Sequence, residues 1–287
     1  MDGVELIEPP VRLSHDPGGL FRENYVPLDW ATEYHRSREW AWVRVAAGGA
    51  GSGKTHTNKT EFLYMAYLYG GQWIAIAQSL LKSRSIQFEE ILKVMSPRLI
   101  ERSKITRQPE LSITIPARNN RYARMKFEGA DEGNIKAEGK KRGIEVEGFW
   151  FTEVTTVLNE LIDAQLHLRT RMSKKPRALY DTNPEGPDNW LLDEYFPKGQ
   201  PPVLMHLSSH WREGTRIDKS RGVYWQGLTI KHNHLQPKET MEKNIERAKP
   251  ESGFWYRRMI LGHWVAPEGS VYCESANSLA DHVVLDD

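Results

Sequence analysis

The 287-residue sequence predicts an α/β fold, a mostly parallel sheet with helices on both faces. Three observations carry that prediction. Apolar strands alternate with helix-period segments from residue 42 onward. A glycine-rich loop joins the first of those strands to the helix that follows. Two later apolar strands run out into polar residues, which a parallel sheet would gather at one edge.

Taken in order, residues 1–30 are rich in Pro and Gly, lack a sustained period and read as an extended arm, with a short helix near 32–39. Residues 42–47 read as a strand, 54–69 as an amphipathic helix, 73–77 as a strand and 85–95 as a helix. Segments 112–116 and 123–128 form an antiparallel pair around a polar turn at Asn119-Asn120. Residues 149–151 are a short buried strand. Residues 158–171 are a helix with apolar positions at 158, 161, 162, 166 and 168, and 178–181 are another strand. Beyond Pro202 the pattern predicts strands near 203–207 and 228–231, then helices at 238–248 and 253–261. The expected division is an arm to residue 30, a core over 31–210, late strands and a small linker subdomain over 211–265, and a further start at 266–287.

Composition narrows the function classes. Hydrophobic residues at 39% and charged residues at 27% are ordinary for a soluble globular chain. No apolar run reaches the roughly 18 residues of a membrane span. The acidic N-terminus lacks the apolar core of a secretory signal. The single cysteine, Cys273, excludes an intrachain disulfide framework and a cysteine-built metal site. The expectation is an intracellular, soluble protein. A formal net charge of +1 argues against generic polyanion binding, yet residues 98–142 hold twelve Lys or Arg against six Asp or Glu. That local excess is a candidate polyanion-facing surface.

Gly48-Gly49-Ala50-Gly51-Ser52-Gly53-Lys54-Thr55 fits the phosphate-loop pattern G-x-x-x-x-G-K-[ST]. Glycines let successive backbone N–H groups turn inward toward phosphate oxygens, and the following helix N-terminus adds partial positive charge. Lys54 is expected to reach the β- and γ-phosphates of a nucleoside triphosphate, and the Thr55 hydroxyl to ligate Mg²⁺. The fold is therefore expected to be that of a P-loop NTPase.

Hydrolysis needs a carboxylate at the end of a neighbouring strand. Gly148-Phe149-Trp150-Phe151-Thr152-Glu153 supplies Glu153 as the water-activating base. Thr152 occupies the position of a metal-orienting acid and could hold Mg²⁺ only through water. Asp181-Thr182-Asn183-Pro184 ends the next apolar strand, so Thr182 or Asn183 could sense the γ-phosphate. His232-x-His234 has no partner ligand at a useful spacing, and Trp225, Trp255 and Trp264 read as core rather than base-stacking residues.

With these segments in order, the chain resembles the large terminase subunit of tailed bacteriophages. The resemblance rests on residues 45–55, Trp150-Phe151-Thr152-Glu153, Thr182-Asn183-Pro184 and the segment ESGFWYRRMILGHW at 251–264. It implies a RecA-like ATPase core of the additional-strand type, with Lys54 and Thr55 on phosphate and Mg²⁺, Glu153 as catalytic glutamate, and Thr182 and Asn183 in a coupling segment. The family usually has an acid at position 152 and a basic residue, acting on a neighbouring subunit's nucleotide, near Gln78. Arg84 beside Lys82 is the substitute candidate, with Arg121 and Arg142 as alternatives. The resemblance further implies ATP and Mg²⁺ as cofactors and double-stranded DNA, a portal protein and a terminase small subunit as partners. It implies a homo-oligomeric ring at the procapsid portal in the host bacterial cytoplasm, and no stable place in the virion. Residues 266–287 would begin an RNase H-like nuclease whose site this chain does not contain. A helicase-like ATPase and a nucleotide-gated binding protein with little turnover are the alternatives.

Overall fold

In a computed structural model of the chain, the described residues are 19–22, 25–130, 145–156, 160–199, 204–249 and 253–266. Among them nine strands form one sheet. They are β1 (Val43–Gly48), β2 (Gly71–Ala77), β3 (Lys104–Thr106), β4 (Ser112–Pro116), β5 (Tyr122–Gly129), β6 (Gly148–Thr152), β7 (Arg177–Thr182), β8 (Thr215–Asp218) and β9 (Val223–Leu228). Their spatial order is β3-β4-β5-β2-β6-β7-β1-β9-β8. The six strands from β5 to β9 in that order run parallel, and antiparallel strands close both edges.

Alternation along the strands sorts the core into two layers. Ala46, Trp73, Ala75, Trp150, Leu179, Tyr224 and Leu228 face one cluster. Val43, Val45, Ile74, Ile76, Phe149, Phe151, Ala178, Tyr180 and Trp225 face the other. Both faces are buried, so the central strands read as continuous apolar runs. The first layer is covered by α1 (Asp29–Arg36) and α2 (Lys54–Tyr69), and by a helical stretch from α3 (Leu80–Lys82) through a π turn (Ser83–Phe88) to α4 (Glu89–Val94) and then α5 (Pro97–Glu101). The second is covered by α6 (Glu160–Arg169) and α7 (Trp190–Tyr195). The helices α8 (Lys238–Ala248) and α9 (Gly253–Tyr256), the latter continuing through a π turn (Arg257–Leu261), make a small third cluster with Ile230.

Several sequence expectations are corrected. The helix at 54–69 is not amphipathic: every residue from Thr57 to Leu63 is buried, because Tyr25 packs on His56, α1 brings His35 to Glu61 and α4 brings Glu90 to Lys59. Residues 204–206 form no strand, and residue 203 lies outside the described residues. The strand expected at 228–231 lies earlier, at Val223–Leu228, and Ile230–His232 is a 3₁₀ turn that buries Ile230. Gln226 and Gly227 disguised it. Gln226 is buried but satisfied by the Trp211 carbonyl (2.8 Å), and Gly227 admits the close backbone approach of Gly214.

β9 pairs with β1 along its whole length, so the late strand joins the same sheet. Of the expected arm, residues 1–18, 23 and 24 lie outside the described residues, and Leu20, Phe21 and Leu28 are buried against the core. β4 and β5 form the expected antiparallel pair around Asn119-Asn120, and both asparagines adopt positive φ there.

Candidate nucleotide site

β1 delivers the glycine-rich loop to the C-terminal ends of the parallel strands. Gly48 passes so close to β9 that a Cβ there would lie 2.2 Å from the Leu228 carbonyl oxygen. Gly49 N–H donates to that carbonyl (2.9 Å) and Ala50 N–H to the Met259 carbonyl (2.7 Å). Asn233 donates to the Gly51 carbonyl (2.8 Å). The loop is thus braced from outside by the end of β9 and the C-terminal helix. Gly53, at φ +91°, turns the chain into α2, a conformation that costs glycine little. The first amides of α2 have no intrahelical acceptor and carry the positive end of its dipole.

Lys54 is folded back onto this loop. Its Nζ donates to the carbonyls of Gly48 and Gly49 (2.8 Å each) and to Asn183 Oδ1 (3.1 Å), with Ser52 Oγ at 3.4 Å. Burial lowers its pKa to about 8, opposed by the charges of Asp181 and Glu153. Asn183 follows β7, and Thr182 is wired to the turn after β6: its hydroxyl meets Thr155 Oγ1 at 2.5 Å, and Thr155 donates to the Asn183 carbonyl (3.1 Å). The same segment reaches the C-terminal helix. Arg258 donates to the Pro184 carbonyl (2.7 Å) and pairs with Glu185 (2.5 Å).

Asp181 occupies the centre of the site. It is buried, and it accepts from Thr55 Oγ1 (3.1 Å), Thr152 Oγ1 (2.9 and 3.1 Å), Asn58 Nδ2 (3.2 Å) and Trp150 Nε1 (2.6 Å). The Asn58 amide is oriented by accepting from the Tyr34 hydroxyl. Burial raises the Asp181 pKa, against the pull of these neutral donors and of the Lys54 charge. Thr55, Thr152 and Asp181 make an all-oxygen donor set beside the loop. Among the described residues no group of three or more His, Cys, Asp or Glu could hold a metal alone. An all-oxygen set suits Mg²⁺, which takes one or two protein oxygens and fills its remaining positions from phosphates and water.

Glu153 leaves β6 at φ +50°, uncommon for a residue with a side chain. Its carboxylate is half-exposed and pairs with Lys82 Nζ at 3.0 Å, just before the π turn. Arg84, the sequence's candidate for action in trans, is exposed and contacts the Arg107 carbonyl at 3.4 Å. Arg121 is exposed, and Arg142 lies outside the described residues. Of the helix–strand junctions, therefore, Lys82 rather than Arg84 meets the acidic strand end.

The sequence of residues 41–263 matches the model of the phage terminase large subunit family. The chain belongs to that family. No curated protein sequence matches it. Among solved structures it is similar to the large terminase of a thermophilic bacteriophage in complex with ADP, at TM-score 0.63 and 16% identity over 83% of this chain and 53% of that one. A complex of the same phage terminase with ATP-gamma-S gives TM-score 0.60 at 18% identity, covering 83% and 51%. The large terminase ATPase domain of a Thermus phage gives TM-score 0.59 at 18% identity, covering 84% of this chain and 95% of that one. This terminase chain thus spans about half the length of the first relatives and nearly all of an ATPase domain. At these identities the likeness establishes the P-loop fold.

In this terminase the fold gathers Gly48 to Thr55, Thr152, Glu153, Thr182 and Asn183 at one end of adjacent strands β6, β7 and β1. Three further residues belong to the same constellation: Asp181, Lys82 and Arg258. For Asp181 a signal existed. Strand parity puts it on the face of Leu179, and Thr152 on the face of Trp150, both toward α2. Lys82 and Arg258 meet the site through contacts that no local pattern encodes. Residues 267–287, including Asp281, Asp286, Asp287 and Cys273, lie outside the described residues.

Proposed function

We propose that this terminase chain binds and hydrolyses ATP with Mg²⁺, and uses the turnover to drive double-stranded DNA into a viral procapsid. One observation carries the reading: Lys54, at the start of the loop helix, is hydrogen-bonded at once to the loop and to Asn183 at the end of β7. A phosphate drawing Lys54 out of that arrangement releases Asn183. Nucleotide arrival is thereby converted into a change at residues 182–185, and Arg258 carries it to the C-terminal helix. Mg²⁺, when bound, offsets phosphate charge, and Thr55 would hold it. Glu153 accepts the proton of the attacking water once it leaves Lys82. The amides at the start of α2 and Lys54 stabilise charge on the phosphates, which is the main work of phosphoryl-transfer catalysis.

DNA contact is supported by exposed Arg98, Arg102, Lys104, Arg107, Arg118 and Arg121, carried by α5 and by the strands and turns of the antiparallel end of the sheet. Contacts of that type grip the phosphate backbone without reading sequence and weaken with salt. Portal protein, small subunit and further copies of the chain are the partners of this reading, with Arg84 or Arg121 completing a neighbour's site. Steady-state hydrolysis by the chain, with and without double-stranded DNA, tests the proposal. DNA-stimulated turnover is expected, and Lys54→Ala should abolish nucleotide binding or turnover. Normal activity in that variant would mean that the loop is not the site.

A second reading, a nucleotide-gated assembly protein with little turnover, draws on the Lys82–Glu153 pair, which occupies the proposed base. Nucleotide binding without hydrolysis under every condition would favour it.

A further inference from the structure

Position 152 lacks the carboxylate that would orient the cation of a bound nucleotide, and the neighbouring strand supplies one. β6 and β7 pair in parallel with Thr152 opposite Asp181. Both side chains turn to the α2 face, where Thr55 begins the helix. The Thr55 hydroxyl donates to Asp181 Oδ1 at 3.1 Å. A hydroxyl that gives its proton to a carboxylate keeps its lone pairs free for a cation. Carboxylates behind metal ligands act in this way, fixing ligand orientation and raising ligand basicity.

We propose that Asp181 is the metal-positioning carboxylate of this site, holding the Thr55 hydroxyl with its lone pairs toward a nucleotide-bound divalent cation in place of an acid at position 152. The inference rests on the nucleotide reading above. Its hydrogen-bonding shell supports it. Thr55, Thr152, Asn58 and Trp150 are neutral donors, so they hold the carboxylate in place without cancelling its charge. A carboxylate kept only to tie strands together would be expected to sit on a cationic side chain, since an uncompensated buried charge is costly. Lys54 acts on Asp181 only through space, and the cation would supply direct compensation. Thr152, donating to both carboxylate oxygens, fixes the ring of contacts from the β6 side.

The experiment compares the whole chain with Asp181→Asn, which preserves shape and most hydrogen bonds. ATP-gamma-S affinity is measured in EDTA, and Mn²⁺ affinity of the nucleotide-loaded protein by electron paramagnetic resonance. The expected result is nucleotide affinity in EDTA within about 2-fold of the parent and Mn²⁺ affinity weakened roughly 10–100-fold. Unchanged Mn²⁺ affinity overturns the proposal, as does a parallel loss of both affinities, which marks a purely structural carboxylate. A second measurement needs no variant. In the parent chain with its aspartate carboxyl carbons ¹³C-labelled, the Mn²⁺–ATP-gamma-S complex should show carbon hyperfine coupling, and absence of coupling overturns the assignment. If the parent binds no ATP-gamma-S at all, the nucleotide reading falls and this inference falls with it. If it binds and only the Asp181 results are negative, the nucleotide reading stands.

Discussion

Two buried carboxylates lie in the layer between α2 and the sheet, and they are held in opposite ways. Glu61, on α2, is surrounded by charge and a ring nitrogen: Arg44 at 2.6 Å, Arg38 at 2.8 and 2.9 Å, and His35 at 2.6 Å. Although burial raises its pKa, Arg38, Arg44 and His35 carry the net effect well below the usual carboxylate range. Asp181 is hydrogen-bonded by neutral donors, feels the Lys54 charge only through space, and is shifted upward by burial. Glu61 is therefore saturated and structural, clamping β1, α1 and α2 together. Asp181 has no cationic hydrogen-bond partner and lies beside the glycine-rich loop. Equal burial does not imply equal role; the chemistry of the partners decides it.

The sharpest way to break this contrast is Glu61→Gln. Removing one partner of a buried charge cluster should cost about 3–5 kcal/mol, because Arg44 is left buried and uncompensated. Urea unfolding at pH 7 measures it. The pH dependence follows from a depressed folded-state pKa: the Glu61 contribution is fully present above the unfolded value and is lost as pH falls through the folded one. The difference between parent and variant should accordingly shrink in acid, and a gap that widens there would refute the clamp.

Next in size is Glu153→Ala, expected to lower turnover at least about 10²-fold while nucleotide binding persists. Single-turnover hydrolysis beside equilibrium binding separates the two. Retained turnover would transfer the base to another acid, and Asp181 would be the first to re-examine. Arg258→Ala should cost roughly 1.5–3 kcal/mol of stability at most, the range for a hydrogen-bonded charged group. It should weaken DNA stimulation of hydrolysis more than basal hydrolysis. Equal loss of both would remove the C-terminal helix from the coupling path.

Lys82→Ala sits at the small end. An ion pair this exposed is worth under about 1 kcal/mol, so thermal stability should barely move. Basal turnover should rise by a few-fold as Glu153 is released. A fall would make Lys82 a participant in the reaction instead of a tether.

The candidate site was legible wherever its chemistry is local. The run Gly48 to Thr55 specifies its own turn, because consecutive glycines and a following helix suffice, and Glu153, Thr182 and Asn183 mark strand ends by the break from apolar to polar. The Thr152 departure was also visible. Its neighbour was not: parity gave the face of Asp181 at the end of the strand at 178–181, and only the pairing of β6 with β7 set it opposite Thr152. Helix α2 misled for a related reason: burial by a covering arm cannot be seen from its period.

By itself, the sequence determined the parallel α/β class, the glycine-rich turn into α2 and the polar strand ends, because backbone conformation and face alternation depend on near neighbours along the chain. Only the tertiary structure decided which strands are adjacent. It set β9 beside β1, brought Asp181 opposite Thr152 and against Thr55, closed Arg44 on Glu61, and laid the C-terminal helix across the loop. A two-residue period says which face a side chain takes; it carries no information about the strand that will lie next to it.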